Sequence, residues 1–211
     1  MISVFLYKFL KMKKSIVIAF LLIAVFGFGQ EKFDASKVKA FQDELNSEFA
    51  SKGKSPLTES DRKDFKSLDI FAPSSDFFVL ADFKRTESEK PFKMKTSTDR
   101  TPVYVKYGEL AFEIKGRKFR LNVYQNVELM KKKGFEDYLF LPFSDLTSGK
   151  ETYIGGRYID LKIPTGNVVS VDFNTAYNPY CAYNHKFSCP IVPLENDLDI
   201  AIDAGVKKFH D

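Results

Sequence analysis

Hydrophobic and polar residues alternate most clearly in GELAFEIKGRKFRLNVYQN. Leu110, Phe112 and Ile114 alternate with polar neighbours, and Phe119, Leu121 and Val123 do the same after Lys115-Gly116-Arg117. Period two on both sides of a short glycine turn predicts a β-hairpin with one buried face. Glu113 and Arg120 then fall on the outer face. Further strands are expected over Phe77–Phe83, Val103–Tyr107, Tyr138–Phe143, Thr152–Ile163 and Val168–Phe173, with turns at Gly149-Lys150 and Thr165-Gly166-Asn167. Pro164 marks an end to strand pairing. From Leu198 to Phe209 the pattern suits strand and helix equally.

Nearer the start the period is different. Val38, Phe41, Leu45 and Phe49 recur at spacings of three and four, which predicts an amphipathic helix over Asp34–Ser51 with Asp34 as N-cap. Thr58-Glu59-Ser60-Asp61 predicts a second, short helix to about Phe65. The expected fold class is α+β: N-terminal helices followed by a mainly antiparallel β-sheet curled into a sandwich or open barrel. With 211 residues, 22 Phe and 10 Tyr, the chain can bury one ordinary core.

The first residues follow another logic. Lys13 and Lys14 precede an apolar run from Ile16 to Phe26, and Gly27-Phe28-Gly29 offers small residues at a cleavage site before Gln30. This predicts a signal peptide over residues 1–29 and a single globular domain over 30–211, exported to the periplasm or secreted, with no stable membrane span after cleavage. The run falls short of the roughly 20 residues that cross a bilayer, although an uncleaved anchor is the alternative. Met12 is a second candidate start. The segment also changes the charge balance. Of 32 basic residues four (Lys8, Lys11, Lys13, Lys14) lie in it, which leaves 28 against 28 acidic ones. A neutral mature chain gives no electrostatic footprint for nucleic acid.

Candidate chemistry concentrates between Leu139 and Asn196. Gly155-Gly156 lies within the predicted strand over Thr152–Ile163, where glycine marks a bulge or a close approach by a ligand or another chain. Alternation sends Arg157 and Ile159 to one face and Tyr158 and Asp160 to the other. A guanidinium on an apolar face needs a carboxylate, and Asp145 and Asp172 are the candidates. Arg157 can serve as a clamp for an anion or as half of an internal pair. Asp172 and Asn174 suit a turn cap. The candidate ligand-binding set is Asp145, Thr152, Tyr153, Arg157, Tyr158, Asp172, Asn174, Tyr177 and Asn178.

Cys181 and Cys189 have seven residues between them, and in an oxidising compartment a disulfide is expected. Free thiols are one alternative. Another is a Zn²⁺ site from Cys181, His185, Cys189 and Glu195, but this spacing is not a usual finger, and neither metal nor cofactor is expected. A Cys181–His185 dyad would need a free thiolate.

The strings PFSDLTSGKETYIGGRYIDL, DFNTAYNPYCAYN and CPIVPLEN, followed by AGVKK, resemble the domain-of-unknown-function family 1684 over roughly residues 34–208. The resemblance implies a single domain with its signature in the C-terminal half, and it implies no activity. Val206 stands where the family pattern implies glutamate, and Leu146 and Ile154 replace smaller residues. Three functions are compatible with the residues. One is a module binding a small polar or anionic ligand, or a peptide or glycan end, with Arg157 as anchor and Tyr153, Tyr158 and Tyr177 as walls. The second is a hydrolase, metal-assisted or not, using Asp145, Asp172 or Glu195. The third is a purely structural motif.

Overall fold

The strand pair β3 (Val103–Ile114) and β4 (Arg117–Asn126) forms the frame of the fold in a computed structural model that describes residues 31–210. The two strands run antiparallel from Tyr104↔Asn126 to Ile114↔Arg117, joined by the Lys115-Gly116 turn, in which both residues have positive φ. Register slips once, between Lys106 and Gly108. The extra residue at this bulge, Tyr107, reverses which face the following side chains occupy. Tyr104 therefore faces one side of the sheet, and Leu110, Phe112 and Ile114 face the other. Two separate predicted strands are thus one strand that serves both faces.

The other strands are β1 (Phe78–Arg85), β2 (Phe92–Lys93), β5 (Tyr138–Asp145), β6 (Arg157–Lys162), β7 (Val168–Asp172) and β8 (Asp197–Leu198). The sheet order is β6-β5-β4-β3-β1-β7, with β2 on β3 and β8 on β5. All pairings are antiparallel except β5–β8. The result is an α+β protein with one open sheet curled into a half-barrel, rather than two packed sheets. The curl has a visible cause. β4 meets β5 only at Tyr124↔Phe140 and then diverges, and β8 takes its place beside Ser144 and Asp145. Asn196 fills the parting: its side chain donates to Asn122 O (2.8 Å) and Pro142 O (2.6 Å) and accepts from Asn122 N (2.9 Å). Backbone groups released by the diverging ladder are satisfied in this way without water.

The main core lies on one face of the sheet, built from Leu110, Phe112, Leu121, Val123, Leu139, Leu141, Phe143, Ile159 and Phe173 among others. The C-terminal segment crosses that face in extended form. Leu198, Ile200, Ile202 and Ala204 are buried alternately, and only residues 197–198 pair as strand. The opposite face carries a smaller aromatic cluster of Tyr104, Tyr124, Phe140 and Tyr158 with Met94.

Helix α1 (Ala35–Ala50) is capped by Asp34, whose carboxylate accepts from Ser36 N at 2.9 Å. Helix α2 (Glu59–Asp64) is capped by Thr58 Oγ1, which accepts from Asp61 N at 3.1 Å. Phe49 of α1 packs with Leu57, Leu68, Tyr183 and Val206. Val206 occupies an apolar site that would penalise a buried carboxylate. Leu146 and Ile154 are exposed. From Phe33 onward the described residues form one compact unit, and none of their helices is long and apolar enough to cross a membrane. The predicted signal peptide lies outside the described residues.

β6 begins at Arg157, not at Thr152, so the glycine doublet belongs to the preceding turn. Gly156 has φ of +80°, and a Cβ there would sit 2.5 Å from Phe143 O and 2.7 Å from Val192 Cγ2. The close approach is made by the protein's own backbone.

Candidate functional site

Alternation along β6 holds as the sequence predicts. Arg157 and Ile159 enter the main core, and Tyr158 lines the aromatic face with Asp160 exposed at its edge. The guanidinium is completely buried. One Nη donates to Asp145 Oδ2 at 2.8 Å and to Ile202 O at 2.9 Å, and the other donates to Ala204 O. Its Cζ lies 5.2 Å from the centre of the Phe143 ring. Burial pulls its pKa down, and the Asp145 charge opposes that shift. Asp145 is equally buried, and its second oxygen accepts from Thr147 N (2.9 Å), Thr147 Oγ1 (2.6 Å) and Ile202 N (3.2 Å). Thr152 joins through Thr147 Oγ1 at 2.8 Å. Four donors converge on Asp145 and three acceptors on Arg157, so the pair ties two turns to the C-terminal strap and presents no donor fork to solvent.

The next predicted residues are also engaged internally. Asp172 caps the turn over Phe173–Thr175 by accepting from Asn174 N at 3.0 Å, and burial raises its pKa. Asn174 clamps Ser74 through both backbone groups at 2.8 and 2.9 Å. Asn178 donates to Lys207 O at 2.8 Å. Asp145 and Asp172 are thus committed to structure, and Glu195 accepts from Tyr124 OH at 3.2 Å. Among the described residues no group of three His, Cys, Asp or Glu side chains is placed to hold a metal ion.

Tyr158 and Tyr177 belong to a different place. A cleft of about 430 Å³ opens between the aromatic face of the sheet and helix α1. The sheet contributes Tyr104, Tyr138, Phe140, Tyr158 and Asp160; the helix contributes Phe41, Leu45 and Glu48; the segment after β7 contributes Tyr177, Tyr180, Phe187 and Cys189. Phe41 and Leu45, on the apolar side of the predicted amphipathic helix, are only half-buried and line this opening. The rings stack edge to face: Phe140–Tyr158 at 4.7 Å and Tyr158–Tyr177 at 6.0 Å. Tyr158 OH is held by Pro190 O.

Asp160 is the polar focus. Tyr138 OH donates to its Oδ1 at 2.7 Å and Tyr177 OH donates to the same oxygen at 2.5 Å, which leaves Oδ2 for another donor. Burial and then the Asp160 charge push both phenols well above the ordinary tyrosine pKa, so both remain donors. Glu48 is already paired with Lys54 at 3.0 Å, and no Lys or Arg lines the cleft. The sequence signal for this site was the apolar character of both faces of β5 and β6. The missing parts were partners remote in sequence: Tyr104, Phe41 and Phe187.

Tyr153 points elsewhere, with its hydroxyl 4.0 Å from Cys181 Sγ. Cys181 and Cys189 are free thiols here, where a disulfide is the sequence expectation, and they lie side by side: Cys181 N donates to Cys189 Sγ at 3.2 Å. His185 is exposed.

A model of the family described as a protein of unknown function (DUF1684) matches residues 63–207. The chain belongs to that family. It is also similar to the solution NMR structure of an uncharacterized protein of Haloarcula marismortui, with 34% identity and a TM-score of 0.64 over 82% of this chain and 92% of that one. No curated protein matches the chain.

Proposed function

We propose that this is an exported binding module whose aromatic cleft takes a small ligand with a hydrogen-donating head, either an ammonium group or the hydroxyls of a glycan end. The observation that carries the reading is Asp160: one oxygen is saturated by two tyrosines and the other is open, at the edge of an aromatic wall. Such walls stack on sugar rings and attract cations, by about 0.5–2 kcal/mol per contact. The volume suits a small molecule. An anionic ligand fits poorly, because the cleft is lined by two carboxylates, Glu48 and Asp160, and by no Lys or Arg, and the Arg157 guanidinium is fully buried in the core.

The test is calorimetric titration and thermal shift with simple ammonium compounds, monosaccharides and small anions. Asp160→Asn and Tyr180→Ala are compared with wild type. Binding of an ammonium compound or sugar that weakens by about tenfold or more in Asp160→Asn, the loss of one charge-assisted hydrogen bond, supports the reading. Binding confined to anions, or unaltered in both variants, refutes it. Export is tested separately: the N-terminus of the protein recovered from its native host should be Gln30.

A further inference from the structure

The two cysteines lie on a loop whose ends are fixed without a covalent link. Residues 180–182 form a single turn, Asn184 N donates to Tyr180 O at 3.0 Å, and Phe187 N donates to Asn184 O at 3.1 Å. The far end is held to a neighbouring segment: Ser97 N donates to Cys189 O at 2.9 Å, and Cys189 N donates to Ser97 Oγ at 3.1 Å. The backbone therefore brings the two sulfurs into contact before any bond forms between them.

Their surroundings differ. Cys189 is buried, with 8% of its surface exposed, and Cys181 is half-open. Donors reach both sulfurs: the Tyr153 hydroxyl stands 4.0 Å from Cys181 Sγ, and Cys189 Sγ accepts from Cys181 N at 3.2 Å. An accessible sulfur backed by a buried neighbouring thiol is the arrangement of an attacking and a resolving cysteine. A structural cross-link does not need this difference in exposure.

We propose that Cys181 and Cys189 form a reversible dithiol–disulfide couple that exchanges with disulfide-bearing molecules, with Cys181 as the attacking sulfur and Cys189 as the resolving one. The contact between the two thiols is consistent with this direction: it draws the Cys181 thiol down to about 6 and, together with burial, pushes proton loss from Cys189 upward.

The steps balance. The Cys181 thiolate attacks one sulfur of an external disulfide, RS–SR. The Cys181–SR bond forms, RS–SR breaks, and RS⁻ leaves and takes a proton from solvent. Cys189 then loses its proton to solvent and attacks Cys181 Sγ. The Cys181–Cys189 bond forms, and the second RS⁻ leaves as a thiol. Two electrons pass from the protein to the external disulfide. Any small or peptide disulfide able to reach the half-open sulfur is a substrate, whatever the aromatic cleft binds.

The experiment uses the mature chain, oxidised and reduced glutathione, and intact-mass analysis. Reduced wild type exposed to oxidised glutathione should lose two hydrogens and release two glutathione molecules per chain. Cys189→Ser should stop at one glutathione adduct, mapped to Cys181. Cys181→Ser should react at least about tenfold more slowly than Cys189→Ser, in line with the burial of its remaining thiol. Equal rates for the two variants, or a wild type that collects adducts without closing the bridge, overturns the proposal. A bridge that reduced glutathione cannot open in the folded protein also overturns it, because the bond is then a fixed staple. The wild type provides a check that needs no variant: limiting iodoacetamide on the reduced protein should label Cys181 ahead of Cys189, and the reverse order is a refutation.

Discussion

Asp145→Ala should nearly unfold the protein. The substitution removes the only carboxylate bonded to a guanidinium with no exposed surface. Deleting one partner of such a buried pair costs about 3–5 kcal/mol, because the remaining charge stays in the core uncompensated. Asp145 also accepts from Thr147 N, Thr147 Oγ1 and Ile202 N, and each buried donor left without an acceptor adds about 1–3 kcal/mol. Partial rearrangement of Thr147 lowers that sum, so a loss of at least about 4 kcal/mol is expected, against a total stability of about 5–15 kcal/mol for an ordinary domain. Asp145→Asn keeps the acceptor and loses the charge, and should cost less. The double variant Asp145→Leu/Arg157→Met removes both charges and should cost less than Asp145→Ala alone, although the carbonyls of Ile202 and Ala204 lose their donors. The assay is urea unfolding at neutral pH, in which the midpoint should fall while the denaturant slope stays constant. If Asp145→Ala lies within about 1 kcal/mol of wild type at unchanged slope, the pair does not hold the fold as argued.

Three further outcomes follow from particular residues. Gly156→Ala places a side chain on a left-handed backbone and against Phe143 O, so it should cost more than the roughly 1–2 kcal/mol of the backbone term alone, whereas Gly53→Ala, with no atom within 4 Å, should be near neutral by the same urea assay. Asp172 has a raised pKa, so its contribution is greatest when protonated and is lost as pH rises through the folded value; the stability of wild type relative to Asp172→Asn should therefore improve as pH falls from about 6 to about 3. Iodoacetamide labelling of Cys181 should be fast at neutral pH and fall off with a midpoint near about 6, and a midpoint near the ordinary thiol value would contradict the donor arrangement at that sulfur.

Much of the sheet was legible, because period two survives along the β3–β4 hairpin and glycine punctuates the turns. Alternation alone located Arg157 on the apolar face and named Asp145 among its possible partners. It could not decide whether the guanidinium faced a ligand or the C-terminal strap, since Ile202 and Ala204 lie more than forty positions away in sequence. The bulge at Tyr107 was hidden for another reason: it changes the face without interrupting the apolar pattern. Tyr104 was therefore not connected to Tyr158. The cleft is assembled from one helix, three strands and a loop, and no local window contains more than two of its walls. Polar residues near the glycine doublet drew the candidate set toward the motif's interior, where most of them serve as fastenings for the backbone.

The C-terminal strap also dictates an order of events. Residues 145 and 157 leave the ribosome well before residues 202 and 204, yet the latter supply the carbonyls that share the Arg157 charge. Until the strap arrives, the guanidinium has no dry place to go, and the β5–β6 hairpin must keep its inner face hydrated. The β3–β4 hairpin can form early, but the core behind β5 and β6 cannot seal until the last turns of chain are available. Closure of this fold is therefore a late, cooperative step, and a chain cut short before Ile202 is held open by one unsheltered charge.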